Sequence, residues 1–216
     1  MAWATVASER YALPAMPTPP QVVVVAGPNG AGKSTIAPDI VRKAFGIEEF
    51  VNADTIARGL SQFTPENVAF SAGRVFLDRI RALAKGRESF SFETTLAART
   101  IAPALRHMQR DGFLVHVIYL WLPSAEMAVQ RVAARVRSGG HAIPDADIRR
   151  RYDRSLRNFF NTYRQIADSW LMLDNSSASA PRPIAWRNPG GPLQTVRSGP
   201  WEQLRKSYEQ DILQTR

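Results

Sequence analysis

The sequence predicts a three-layer α/β/α sandwich built on a mostly parallel sheet, and three observations lead there. Short apolar runs of strand length alternate with longer segments whose apolar residues recur at helical spacing. The first such run is Val22-Val23-Val24-Val25-Ala26, an almost continuous β-branched stretch of the kind a parallel strand buried on both faces requires. A glycine-rich loop then joins that strand directly to a helix.

Taken in order, residues 1–20 hold four prolines and end Pro17-Thr18-Pro19-Pro20, so they read as an N-terminal arm. The first helix is expected over 33–45, with Pro38 inside its first two turns distorting it locally. A short second strand is expected over 49–54. Thr64, Pro65 and Glu66 have the cap, first-position and first-turn chemistry of a helix start. Val68, Ala72, Val75, Phe76, Ile80 and Leu83 would form that helix's apolar face. A third strand follows over 89–96, then a helix to about residue 110. Residues 114–122 make a fourth strand, stopped by Pro123. Ser124 opens a helix on which Ala128, Val132 and Val136 stack, and Ser138-Gly139-Gly140 breaks it. A long helix is expected over 145–168, with Ile148, Tyr152, Leu156, Phe159, Tyr163 and Ile166 on one side. Residues 170–174 are a fifth strand; a Gly/Pro/Ser-rich hairpin and an amphipathic segment from Trp201 follow. One domain over 21–180, with the hairpin and helix of 181–216 appended to it, is the expected organisation.

The loop itself reads Gly27-Pro28-Asn29-Gly30-Ala31-Gly32-Lys33-Ser34-Thr35, the G-x-x-x-x-G-K-[ST] phosphate loop in its strand–loop–helix setting. Its glycines let backbone N–H groups close around a polyphosphate, and the helix that follows presents its positive end to the same anion. Lys33 is placed to reach the β- and γ-phosphates, and the Ser34 hydroxyl to ligate Mg²⁺. The expected ligand is therefore a nucleoside triphosphate with Mg²⁺, and the loop alone leaves three classes open: an ATPase, a GTPase, or a fold of the P-loop nucleoside-triphosphate kinase type with a helical lid.

Composition narrows the remaining choices. At 216 residues the chain suits one domain with appendages. It has no Cys, which excludes disulfides and thiolate metal sites and is compatible with a reducing cytoplasm. No apolar run spans a bilayer and no charged-then-apolar leader opens the chain, so a soluble cytoplasmic protein without a membrane partner is expected. The net charge of +9 invites a nucleic-acid reading. However, eight arginines fall between residues 131 and 157 against three acids, and a triphosphate is their nearer partner.

In open α/β sheets ligands sit beyond the carboxyl ends of the strands. Asp54 closes Phe50-Val51-Asn52-Ala53-Asp54, and Glu93 closes the third strand just before Thr94 and Thr95. Asp54 fits the base that accepts the proton of an acceptor hydroxyl. Glu93 fits an acceptor-binding or Mg²⁺-organising role, with Asn52, Thr94 and Thr95 as further acceptor-binding candidates. Asp174 also ends an apolar run, and three readings stand open for it: a metal acid, a neighbour of the nucleotide base, or a turn start. Arg131 and Arg135 share one helix face, and Arg150, Arg154 and Arg157 make a second basic stripe. Joined at Gly139-Gly140, the two helices have the form of a lid over about 131–157 that closes on the transferring phosphoryl and excludes water. His141, beside that hinge, reads equally as a phosphate contact or a surface residue.

Together these residues resemble the zeta toxin family of P-loop kinases, in its compact single-domain branch. The resemblance runs from residue 22 to 176, through the loop, Val51-Asn52-Ala53-Asp54, Phe92-Glu93-Thr94-Thr95-Leu96 and Arg131-Val132-Ala133-Ala134-Arg135-Val136. It continues through Gly139-Gly140-His141-Ala142-Ile143-Pro144, Ile148-Arg149-Arg150-Arg151-Tyr152 and Asp174-Asn175-Ser176. It implies ATP-dependent phosphorylation of the 3′-hydroxyl of UDP-N-acetylglucosamine. Lys33 and Ser34 would hold nucleotide and Mg²⁺, Asp54 would be the base and Glu93 would bind the acceptor. Arg131, Arg135, Arg150 and Arg151 would neutralise the transferring phosphate. It also implies an inhibitory antitoxin partner, for which the N-terminal arm and residues 181–200 are the candidate surfaces. The competing classes fit less well. An ABC-type ATPase lacks its acid pair, because the fourth strand ends Leu120-Trp121-Leu122-Pro123, and no Asn-Lys-x-Asp motif marks a GTPase. A polynucleotide kinase would need an aromatic-rich basic platform that is not evident.

Overall fold

The structure is a computed structural model that describes residues 18–61 and 68–209. Strand β1 (Gln21–Ala26) lies inside a seven-stranded sheet, paired in parallel with β3 (Phe90–Thr94) and β4 (Leu114–Trp121). Val22 to Val25 are each at most 1% exposed. Successive strand side chains point to opposite faces, so both faces of β1 are covered and the sheet is the middle layer of three. Helix α1 (Lys33–Phe45) packs on β1 and β3, and α4 (Ala102–Arg110) on β4. Pro38 lies within α1 without ending it.

Beyond β3 the sheet continues to β2 (Phe50–Val51), and beyond β4 to β5 (Ser169–Asp174), all in parallel. Two antiparallel strands complete it, β6 (Arg182–Arg187) and β7 (Leu193–Thr195), as the hairpin expected from the Gly/Pro-rich sequence. The order is β2-β3-β1-β4-β5-β6-β7. The chain leaves β1 toward one edge, returns through β3, and crosses over β1 to reach β4. That reversal opens a crevice at the carboxyl end of β1, where the phosphate loop begins.

Three sequence expectations change, and one falls where the structure describes nothing. The second strand is only two residues long, and Asn52 already caps a helix, α2 (Ala53–Leu60), so Asp54 stands in a helix's first turn and not at a strand end. In α3 (Ala69–Lys85), Ala72, Ile80 and Leu83 are buried, but Val75 is 45% exposed because it lies at the edge of the apolar stripe. The Thr64-Pro65-Glu66 start signal lies outside the described residues, as do residues 1–17 of the arm. The long helix is divided: α6 (Asp145–Asn158) passes into a π-helical turn (Phe159–Tyr163) and α7 (Arg164–Ile166).

The wide turn has a packing reason. Consecutive α-helical residues diverge by about 100°, yet Phe159 and Phe160 are both fully buried. Phe159 meets Tyr119 and Trp170, while Phe160 meets Trp201 of α8 (Ser198–Tyr208). Trp201 in turn stacks on Trp170 at 5.3 Å, and the Arg164 guanidinium lies over the Phe160 ring at 5.2 Å. This aromatic cluster fastens the C-terminal helix to the sheet. Helix α5 (Ala125–Arg137), capped by the Ser124 hydroxyl as expected, packs against α6. Among the described residues no helix is long and apolar enough to cross a membrane.

Candidate active site

The phosphate loop fills the crevice, and its glycines are there for space as well as conformation. Gly27 has φ +142°, and a Cβ on it would stand 2.3 Å from the Leu120 carbonyl oxygen. Gly30 has φ +75°, and a Cβ on it would meet the Ala128 carbonyl at 2.8 Å and the Arg131 Cβ at 3.1 Å. The loop is therefore wedged between the end of β4 and the first turns of α5, which brings Arg131 to it. Asn175 braces it from a third side, donating from Nδ2 to the Ala31 carbonyl at 2.8 Å. Nothing acidic occupies the first turn of α1 and no side chain caps it, which leaves the positive end of the helix to an anion. The Asn29 Oδ1 atom is buried there without a hydrogen-bond partner.

Lys33 folds back into the loop and donates from Nζ to the carbonyls of Gly27 (2.9 Å) and Pro28 (3.0 Å). Burial lowers its pKa to about 8; Glu93 and Asp54 oppose that shift, and Arg135 adds to it. All four charges thus share one cleft. Glu93 is bound directly to the loop: its Oε1 accepts from the Ser34 hydroxyl at 2.9 Å and from Asn52 Nδ2 at 2.7 Å. Its Oε2 is buried without a partner. Burial raises the Glu93 pKa, against the pull of Lys33 and the hydrogen bonds from Ser34 and Asn52, and Asp54 raises it further. Asn52 works in both directions, since its Oδ1 accepts from the backbone N–H groups of Asp54 (2.7 Å) and Thr55 (3.1 Å). One side chain therefore sets the α2 N-terminus and couples it to Glu93.

The other sequence candidates divide. Thr94 and Thr95 use their hydroxyls locally, accepting from the N–H groups of Leu96 and Ala97. Arg131 donates to the Ser176 carbonyl at 2.9 Å, and Arg135 donates to the His141 carbonyl at 3.0 Å across the glycine hinge. These two of the three α5 arginines stand by the loop. Arg150 forms an i,i+3 ion pair with Asp147 on the exposed face of α6, and Arg151, partly buried on the same helix, has no ion pair among the described residues. Asp174 is structural: buried, it accepts from the Ser176 N–H and is ion-paired with Arg197 and, at 3.6 Å, with Arg182. Although burial opposes it, those hydrogen bonds and the Arg197 guanidinium hold its carboxyl below the usual range. It ties β5 to the C-terminal elements. Sequence reasoning passed over Asn175 as a brace; its only signal was its position directly after a strand-end acid.

An ion such as Mg²⁺ fits this donor set. The Ser34 hydroxyl and a carboxylate with one orphaned, buried oxygen are hard oxygen ligands at the mouth of an anion cradle. No cluster of three or more His, Cys, Asp or Glu occurs among the described residues.

Comparison with known proteins follows the same lines. The family model described as AAA domain matches residues 22–157. An uncharacterized protein of Haemophilus influenzae is 28% identical over 135 residues, covering 61% of this chain and 92% of that protein. Among solved structures, the AvrRxo1-ORF1:-ORF2 complex with ATP is similar at a TM-score of 0.69 and 14% identity. The match covers 89% of this chain and 65% of that one, so this chain spans about two thirds of that neighbour's length. A structure from the PezAT toxin–antitoxin system of Streptococcus pneumoniae is similar at a TM-score of 0.57 and 16% identity, covering 76% of this chain and 72% of that one. At such identities the likeness is one of fold.

Proposed function

Because the chain belongs to the AAA domain family and has the P-loop kinase fold, we propose that it is an ATP-dependent small-molecule kinase of zeta toxin type. The acceptor is a hydroxyl of a sugar nucleotide, the 3′-OH of UDP-N-acetylglucosamine on the strength of the sequence resemblance. The observation that carries this reading is the junction Ser34–Glu93–Asn52–Asp54 beside Lys33. A nucleotide binder needs only the loop; a transferase also needs carboxylates facing the γ-phosphate.

In this reading the loop N–H groups and Lys33 hold the β- and γ-phosphates, and Lys33 exchanges its carbonyl partners for phosphate oxygens. Mg²⁺ bound by Ser34 beside Glu93 would offset charge on those oxygens. Asp54 takes the acceptor hydroxyl's proton as the oxygen bonds to phosphorus and the bond to the departing ADP breaks. Arg131 and Arg135 offset the negative charge that moves toward the bridging oxygen. A cytoplasmic toxin restrained by an antitoxin protein is the biological setting this implies. Kinship of fold with a chain from a toxin–antitoxin system supports that setting.

The test is transfer of label from γ-labelled ATP with Mg²⁺. Label on a UDP-sugar is the expected result. Label on a 5′-hydroxyl oligonucleotide, or phosphate release that ignores every acceptor, would overturn it.

Lys33 gives a second, pH-dependent signature. With its pKa lowered to about 8, roughly half of this lysine is neutral at pH 8 in the free protein. A triphosphate favours the ammonium form and raises the pKa, so ATP binding takes up protons. Uptake is small below pH 7, where Lys33 is already charged, and grows as pH rises through 8. Calorimetric titration of Mg·ATP in buffers of different ionisation enthalpy should return about half a proton per site at pH 8. The Lys33→Met protein should show none.

A further inference from the structure

On the β3 side of the cleft lies a cavity of about 300 Å³ lined by Ala97, Arg99, Arg154, Arg157 and Asn158. Its three arginines come from two separate elements. Arg154 and Arg157 are one helical turn apart on α6, and Arg99 follows β3 in the chain, six residues after Glu93. Asn158 organises the meeting: its Nδ2 donates to the Leu96 carbonyl at 2.7 Å, and its Oδ1 accepts from Arg99 Nε at 2.9 Å. That bond occupies Nε and leaves the terminal nitrogens of Arg99 for other partners. The loop is held from two further points. Leu96 is locked at φ +55° with its side chain fully buried, and Tyr163 donates to the Ala98 carbonyl at 2.7 Å. The cavity wall is therefore built, not incidental.

Its charge also has no acidic partner among the described residues. Two other arginines of α6 are matched by acids, Arg149 by Glu126 and Arg150 by Asp147, while Arg151 forms no ion pair among the described residues. Among the described residues, no ion pair is formed by Arg99, Arg154 or Arg157. Three guanidinium groups around one concavity repel one another unless an anion lies between them, and their planar forks suit phosphate oxygens. None of the cavity's lining residues belongs to the phosphate loop.

We propose that this cavity is an anion site that seats a phosphate or diphosphate group of the acceptor. The kinase then selects phosphorylated small molecules over neutral sugars and alcohols. The inference rests on the kinase reading above and adds to it the residues that recognise the acceptor. Arg154 and Arg157 supply the charge, Arg99 closes the site, and Asn158 positions Arg99.

The test uses the full chain and the variant Arg154→Gln/Arg157→Gln, whose substitutions fall on exposed side chains. With the nucleotide site saturated by a non-hydrolysable ATP analogue and Mg²⁺, inorganic pyrophosphate is titrated calorimetrically into both proteins. The wild type should bind it, and the double variant should bind it at least about tenfold more weakly. Its KM for UDP-N-acetylglucosamine should rise by a similar factor while its ATP dissociation constant stays within about twofold. Asn158→Ala should produce a smaller rise in the same KM. Equal pyrophosphate affinity in the two proteins, or no binding once the loop is filled, overturns the proposal. Arginine-dependent pyrophosphate binding in a protein that phosphorylates no acceptor would support the anion site and overturn the kinase reading alone.

Discussion

Replacing Asp54 by Ala is expected to lower phosphoryl transfer by about two to four orders of magnitude while leaving ATP affinity within about threefold of wild type. The two effects separate because of where the residue stands. Asp54 is exposed in the first turn of α2, and the helix start is fixed by the Asn52 side chain through backbone N–H groups, which the substitution keeps. Its carboxylate contributes charge to the cleft, where it raises the pKa of Lys33, but it is not bonded to the phosphate loop. Loss of the base therefore removes a proton acceptor without dismantling the cradle. Asp54→Asn, which preserves shape, should be about as inactive as Asp54→Ala. Single-turnover transfer together with equilibrium ATP binding checks both. Wild-type turnover in either variant would remove Asp54 from the chemistry.

That placement also shows how far the sequence could be read. The strand-loop-helix unit is legible because one local pattern carries it: a β-branched run, glycines where the backbone must turn, and Lys33 and Ser34 at the helix start. That β1, β3, β4 and β5 run parallel follows from alternation, but their order in the sheet does not. Asp54 shows a local pattern overtaken by its neighbour. The residue is in the cleft, but on a helix, because β2 pairs through only two residues and Asn52 then caps a new helix. The lid arginines show the limit of periodicity. Spacing tells which arginines share a helix face, and it grouped Arg150 with Arg154 and Arg157. Arg150 is spent on Asp147, while the other two line a cavity with Arg99, a residue from another part of the chain. The bracing roles of Asn158 and Asn175 were hidden for the same reason. Each acts by reaching a carbonyl distant in sequence, Leu96 for one and Ala31 for the other, and no local pattern marks such a contact.

The Glu93→Gln protein should lose about two to three orders of magnitude in kcat, with a raised Mg²⁺ requirement, and yet unfold at an equal or higher temperature at pH 8. Glutamine keeps the acceptor oxygen that Ser34 and Asn52 bind, so the junction between the loop and α2 survives. What disappears is a negative charge whose second oxygen is buried without a partner. The sign follows from the raised pKa of Glu93, whose largest cause is burial. A carboxyl whose pKa is higher folded than unfolded destabilises the fold at pH values above its folded pKa. The penalty vanishes below its unfolded pKa, where both states are protonated. The substitution should thus stabilise the free protein at pH 8, and the difference should close as pH falls through the carboxylate range. Glu93 is also the largest influence holding the Lys33 pKa up, so the variant's Lys33 titrates below about 8 and Mg·ATP binding at pH 8 should take up more protons than in wild type. Thermal unfolding across pH, Mg²⁺ titration of turnover and the calorimetric proton count test the three consequences separately. A loss of activity accompanied by a lower unfolding temperature would mean that Glu93 serves the fold. An unchanged Mg²⁺ requirement would place it with the acceptor alone.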